Sequence, residues 1–259
     1  MTRTAVLSLV VLAAVVQCQL LYVANLYRHG ARYPISKIEL YDSKETAADS
    51  GELCATGMRQ QYNLGRYLRR DYIENQKFLE DVVNHSSLEV FSTASLRTVV
   101  SAYCQLYGLY PDGTGPRLPE GLNPSFLVPP FNISSNDGKG VPVEGDFGLP
   151  NGFQPIPVHD AGPFIENCVG VDLLVVEEIS KHSGELAAID IHYTSFYLRM
   201  KQIFKIKSDI ELNIVVMVEL YDVVAADRYL GRPLPTEFTN ADYLTLRHLT
   251  QYLMLTGYS

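Results

Sequence analysis

Between Leu20 and Leu26 the chain runs apolar and β-rich without a charge, then breaks on Arg28, His29, Gly30, Arg32 and Pro34. The pattern predicts a buried strand that ends in a cationic corner. Residues 36–51 carry neither a helical nor a strand period and read as a loop. From Leu53 to Ile73, Met58, Tyr62, Gly65, Leu68 and Tyr72 fall on one helical face, with Arg59, Arg66, Arg69 and Arg70 mostly on the other. The first face should point inward, and Thr56 should cap the helix. Gly65 costs helix propensity, so close packing against a second element is expected to hold it there.

Leu88–Phe91 reads as a short strand. A helix follows over Ala94–Gly108, capped by Ser92 or Thr93, with Leu96, Val100, Tyr103 and Tyr107 inward and Arg97 in or just after its first turn. Pro111–Pro157 is rich in Gly, Pro, Asn and Asp and predicts a long loop region. Its Asp146-Phe147-Gly148 is turn chemistry, since the companion motifs of a kinase are missing. Phe153–His159 should be extended, because the residues before Pro155 and Pro157 are pushed out of the α region. Beyond it the period turns helical: Leu173, Val176 and Ile179 mark one helix, and Phe196, Met200, Ile203 and Phe204 another. A third should be capped by Ser208-Asp209 and run towards Tyr221, followed by a loop over Asp227–Glu237. The last should be capped by Thr239 or Asn240, bury Leu246, Leu249 and Leu253, and stop at Gly257. Strand, helix, strand and helix ahead of an all-helical block predict an α/β fold with a helical subdomain over about residues 160–257.

Composition changes the picture in three places. A net charge of −8 argues against a nucleic-acid surface, so any anion must be held by a local cluster of arginines. The first residues combine a basic Thr2-Arg3 start, the small-apolar run Ala5–Val16, and Val16 and Cys18 at the −3 and −1 positions. This predicts a secretory signal peptide over residues 1–18 and a domain over 19–259, the alternative being a buried first strand or helix. The run is too short for an ordinary membrane span, and none is expected beyond it. Removing Cys18 leaves Cys54, Cys104 and Cys168, an odd number that implies a free thiol, an intermolecular bridge or a missing partner. No pair has metal-ligand spacing, and neither metal nor cofactor is expected. Sequons at Asn84 and Asn132 agree with a secretory route and glycosylation.

Arg28-His29-Gly30-Ala31-Arg32-Tyr33-Pro34 fits RHGxRxP, a match expected by chance in fewer than roughly one in a thousand chains of this length. The chain thereby resembles the histidine acid phosphatases of the prostatic and lysosomal type. LCATGMRQQYNLGRYLRRDY, STASLRT, FQPIPVH, FIENC and LYDVVAADRYLGRPLPTEFT resemble further family segments in the same order, from about Leu20 to Ser259. The resemblance implies a phosphoglycerate mutase-like sheet flanked by helices. It implies His29 as the nucleophile that forms a phosphohistidine, with Arg28, Arg32 and Arg97 as phosphate ligands. From spacing alone, Arg97 is as readily a solvated surface arginine, and His29 could be a satisfied core histidine.

Phosphoryl transfer needs charge stabilisation on the equatorial oxygens, which forked guanidinium donors match. The resemblance implies small phosphate monoesters as substrates, a secreted or lysosomal location, and a homodimer as a candidate assembly. One departure stands out. The family's second motif, a His-Asp pair supplying the proton donor, is expected beyond Ser259, together with a core strand and a disulfide partner for Cys168. His159-Asp160 sits at the PVH position instead, so Asp160 is a weak donor candidate and reads more simply as a loop aspartate. The competing expectations are therefore an acid phosphatase, a catalytically impaired or inactive truncated relative, and a phytase-like enzyme. The last should carry more Lys and Arg around its pocket. A cytosolic mutase is disfavoured by the signal peptide.

Overall fold

The computed structural model describes residues 20–35, 50–127, 145–162 and 177–257. The signal segment, Asn132, Cys168 and the residues around Leu173 and Val176 lie outside them. Helix α1 (Ala55–Leu68) continues into a π-helical turn over Arg69–Asn75. It packs along α2 (Leu96–Leu109). The buried positions of α1 are Gly57, Gln61 and Gly65, and those of α2 include Ser101, Ala102, Gln105 and Gly108. The two helices thus meet through small and polar residues, one step round from the expected apolar faces. Met58, Leu96, Tyr103 and Tyr107 are exposed.

Gly65 does pack tightly, as its placement requires: a Cβ there would strike the Gln105 carbonyl and the Gly108 Cα. Arg69 is drawn inward rather than outward. It donates to Leu109 O at the C-terminus of α2 and pairs with Glu74 and Asp81. Neither helix uses the expected cap: the N-cap positions are Cys54 and Ser95, with no side-chain cap bond.

Leu20–Leu26 does not form the expected buried strand. Leu21, Tyr22 and Leu26 are 83%, 80% and 101% exposed. β-propensity reflects packing on a pleated surface, and this segment has no ladder partner among the described residues. The sheet seen there is small: β1 (Phe91–Ser92) pairs in parallel with β2 (His159–Asp160), Phe91 opposite His159 and Ser92 opposite Asp160. Ile73, Leu106, Leu109, Tyr110 and Ile156 form a core beside it.

A second core joins α3 (Ser183–Ile203), α4 (Ile214–Leu230) and α5 (Asn240–Gly257). Met200, Met217, Leu220, Val224, Leu246 and Leu249 are buried at its centre. The start of α4 lies beyond Ser208-Asp209: Asn213 is the N-cap, and its side chain accepts from Val216 N at 3.1 Å. The helix runs through Asp227 to Leu230, where Gly231 closes it at φ 67°. At the start of α5, Thr239 and Asp242 cap each other reciprocally, and Arg199 of α3 grips Asp242 at 2.9 and 3.0 Å. Among the described residues no helix is long and apolar enough to cross a membrane.

Candidate active site

The segment from Arg28 to Pro34 is irregular, so each of its backbone groups needs a partner from elsewhere. Helices α1 and α2 and the residues just ahead of α1 supply them. Gly30 N donates to Ser101 Oγ at 3.2 Å, and Ser101 in turn donates to Arg97 O at 2.6 Å. Ala31 N donates to Gln60 Oε1 at 2.9 Å, and Gln61 Nε2 donates to Arg28 O at 3.0 Å. Cys54 N and the Cys54 thiol both donate to Ala31 O, at 3.1 and 3.3 Å. Tyr33 N donates to Glu52 O, and Gly51 N to Pro34 O. Gly30 and Gly57 touch backbone to backbone, and a Cβ on either would collide.

Held this way, His29 places Nδ1 2.8 Å from Gly30 O. A carbonyl only accepts, so Nδ1 carries the proton and Nε2 keeps its lone pair. Burial holds the imidazole pKa below its ordinary value. The bond to Gly30 O opposes this, and the positive charges of Arg28, Arg32 and Arg97 push it further down. The three sequence-predicted arginines therefore converge electrostatically on one histidine.

Arg97 stands in the first turn of α2, and its Nε is buried with no hydrogen-bond partner among the described residues. A buried orphan donor is costly, and an acceptor such as an anion's oxygen would satisfy it. Arg28 is exposed. Arg32 is half-buried and bound to Asp222 of α4. An imidazole with a free lone pair, under the charge of three guanidiniums, has the chemistry to attack the centre of a tetrahedral anion.

The other candidates lie apart. Asp160 is exposed at the end of β2, where its Oδ1 accepts from Gly162 N at 3.0 Å. Asn84 sits in a turn, where its Oδ1 accepts from the amide and hydroxyl of Ser86 at 3.0 and 2.7 Å. Cys54 and Cys104 are free thiols, so no disulfide joins them.

Residues 19–147 match the histidine phosphatase superfamily (branch 2). The chain belongs to this family. Within it, human prostatic acid phosphatase is 33% identical over 133 residues, covering 49% of this chain and 31% of that protein. Lysosomal acid phosphatase of Xenopus laevis is 29% identical over 229 residues, covering 88% of this chain and 46% of that protein. The chain thus spans less than half the length of these curated relatives. Hafnia alvei phytase in complex with myo-inositol hexakis sulphate shares the fold at a TM-score of 0.56 and 12% identity, covering 87% of this chain and 57% of that one. A Klebsiella phytase gives 0.54 at 14% identity, covering 89% and 56%. The likeness supports the histidine phosphatase fold expected from the sequence.

Four residues that hold the Arg28–Pro34 loop escaped sequence reasoning: Gln60, Gln61, Ser101 and Asp222. The glutamine pair lies just after Gly57 on a helix with few apolar residues, which is a weak signal. Asp222 is better marked, as an acid flanked by Val218, Leu220, Val223 and Val224, although Glu219 in the same stretch carries the same signal.

Proposed function

We propose that this chain is a phosphatase of the acid phosphatase type that hydrolyses phosphate monoesters through His29. The observation that carries the reading is the convergence of Arg28, Arg32 and Arg97 on an imidazole whose Nε2 is free, with the buried Nε of Arg97 lacking a partner. His29 Nε2 attacks phosphorus, the ester P–O bond breaks, and the leaving oxygen takes a proton from solvent and departs as the alcohol. Water then cleaves the phosphohistidine and releases inorganic phosphate. The arginines bind the equatorial oxygens, where charge spreads in the transition state. The depressed imidazole pKa keeps Nε2 unprotonated into the acid range. Relatives named prostatic and lysosomal acid phosphatase support a secretory route, with Asn84 and Asn132 as glycosylation sites. Residues from about 160 onward form the helical subdomain in this reading.

Hydrolysis of p-nitrophenyl phosphate at acid pH by wild type and His29→Ala tests it. Wild type should turn over and trap an acid-labile phosphoryl label on His29; equal rates in the two proteins would sink it. Among the described residues the charges that bear on His29 are those of arginines, which favours a second reading: an impaired phosphatase with no proton donor beside the leaving group. General acid help is worth about 10²–10⁴-fold. On the second reading, p-nitrophenyl phosphate should be cleaved faster than an alkyl phosphate by roughly that factor. A competent acid would bring the two rates close together.

A further inference from the structure

Arg32 carries five N–H donors on a rigid plane. Its end-on edge is committed to α4. Nη2 donates to Asp222 Oδ1 at 2.8 Å and Nη1 to Asp222 Oδ2 at 3.3 Å. Nη1 also donates to Tyr33 O at 2.9 Å, and Asp222 Oδ2 accepts a further bond from Ile35 N at 2.9 Å. The two side chains are only 14% and 30% exposed. These bonds use three of the five donors. The remaining pair, Nε–H and the second Nη2 proton, lie side by side on the lateral edge of the same plane. Neither has a partner among the described residues. Arg32 stands three positions after His29 in the same loop, and its charge acts on the imidazole.

We propose that Asp222 is a positioning residue: it clamps the end-on edge of Arg32 and thereby presents the lateral Nε/Nη2 edge as a preformed fork for a phosphate held beside His29. The proposal rests on the phosphoryl-transfer reading above. The physical advantage is preorganisation. A free arginine must give up rotamer freedom each time it binds an anion, whereas one already clamped has lost it on folding. Two other roles are open to Asp222, and each predicts a different outcome. A carboxylate that merely occupied the phosphate-binding edge would compete with the ligand, so removing it would tighten binding. A carboxylate that merely docked α4 on the loop would act independently of Arg32.

A double-mutant cycle on the full 259-residue chain decides, with inorganic phosphate as the probe in titration calorimetry and p-nitrophenyl phosphate for KM and kcat. Asp222→Asn should weaken phosphate and raise KM by about tenfold, the cost of ordering one long side chain. Arg32→Ala should weaken both further. Adding Asp222→Asn to Arg32→Ala should then change nothing. If Asp222→Asn binds phosphate as well as or better than wild type, the proposal fails. If the losses multiply in the double variant, it fails too. Should Asp222→Asn melt below the working temperature, Asp222→Glu takes its place in the cycle. It keeps both acceptor oxygens but shifts the fork by one methylene, so its loss must again vanish without Arg32. No phosphate binding in wild type overturns the phosphoryl-transfer reading with the proposal, whereas binding lost in Arg32→Ala but kept in Asp222→Asn overturns the role of Asp222 alone.

Discussion

His29 keeps a proton on Nδ1 because Gly30 O is there to receive it, and it resists a second because three cations and partial burial disfavour charge. Its titration by NMR should therefore have a midpoint below 6.5, the ordinary value for histidine. Arg97→Gln removes one of the cations and should raise that midpoint, moving the acid limb of single-turnover phosphorylation upward in step. An unmoved midpoint would mean that Arg97 does not act on the imidazole. The same shift bears on stability, with the sign set by the lowered folded pKa. As pH falls through 6.5 the unfolded chain takes up a proton that the folded site resists, so stability is lost on the way down to the folded value. His29→Asn should flatten that part of the urea-midpoint profile against pH. His29, Arg28 and Arg32 were legible because five residues of one short loop carry the motif, and Arg97 because STASLRT resembles a second family segment. The glutamines and the serine that hold the loop were not, since polar residues on a helix are ordinarily solvated.

At the scale of elements, the sequence reading failed where packing is not apolar. Helices α1 and α2 meet through Gly57, Gln61 and Gly65 against Ser101, Gln105 and Gly108, residues that carry no hydrophobic period. A reading built on apolar spacing selected Met58, Leu96, Tyr103 and Tyr107, which are exposed. It succeeded on α5, where Leu246, Leu249 and Leu253 are buried as spaced. Gly65→Ala tests the close contact by the sign of its effect. Helix propensity alone favours alanine by about 1 kcal/mol. The collision with the Gln105 carbonyl should reverse that and cost about 1–3 kcal/mol net in urea unfolding. Gly184→Ala, in α3 with open space around it, should instead stabilise by up to about 1 kcal/mol. Leu20–Leu26 failed for another reason: a strand is a property of a pair, and composition gives no sight of the partner.

The molecule has one core beneath α2 and another among α3, α4 and α5, and the Arg28–Pro34 loop contacts helices that serve both. Met217 is fully buried in the helical core, and Met217→Ala should cost about 2–5 kcal/mol in chemical denaturation. Besides Asp222, α4 offers the Tyr229 carbonyl, which accepts from Thr56 Oγ1 of α1 at 2.6 Å. Such contacts between distant parts of the chain are the hardest to read from sequence, because no local pattern announces them. Arg32 and Asp222 stand 190 positions apart. That spacing sets an order in biosynthesis. At about 5–20 residues per second, a ribosome needs roughly 10–40 s to travel from one to the other. Over that interval Arg32 has been made while the carboxylate it pairs with has not. The pair can close only once α4 emerges, long after the Arg28–Pro34 loop has left the tunnel.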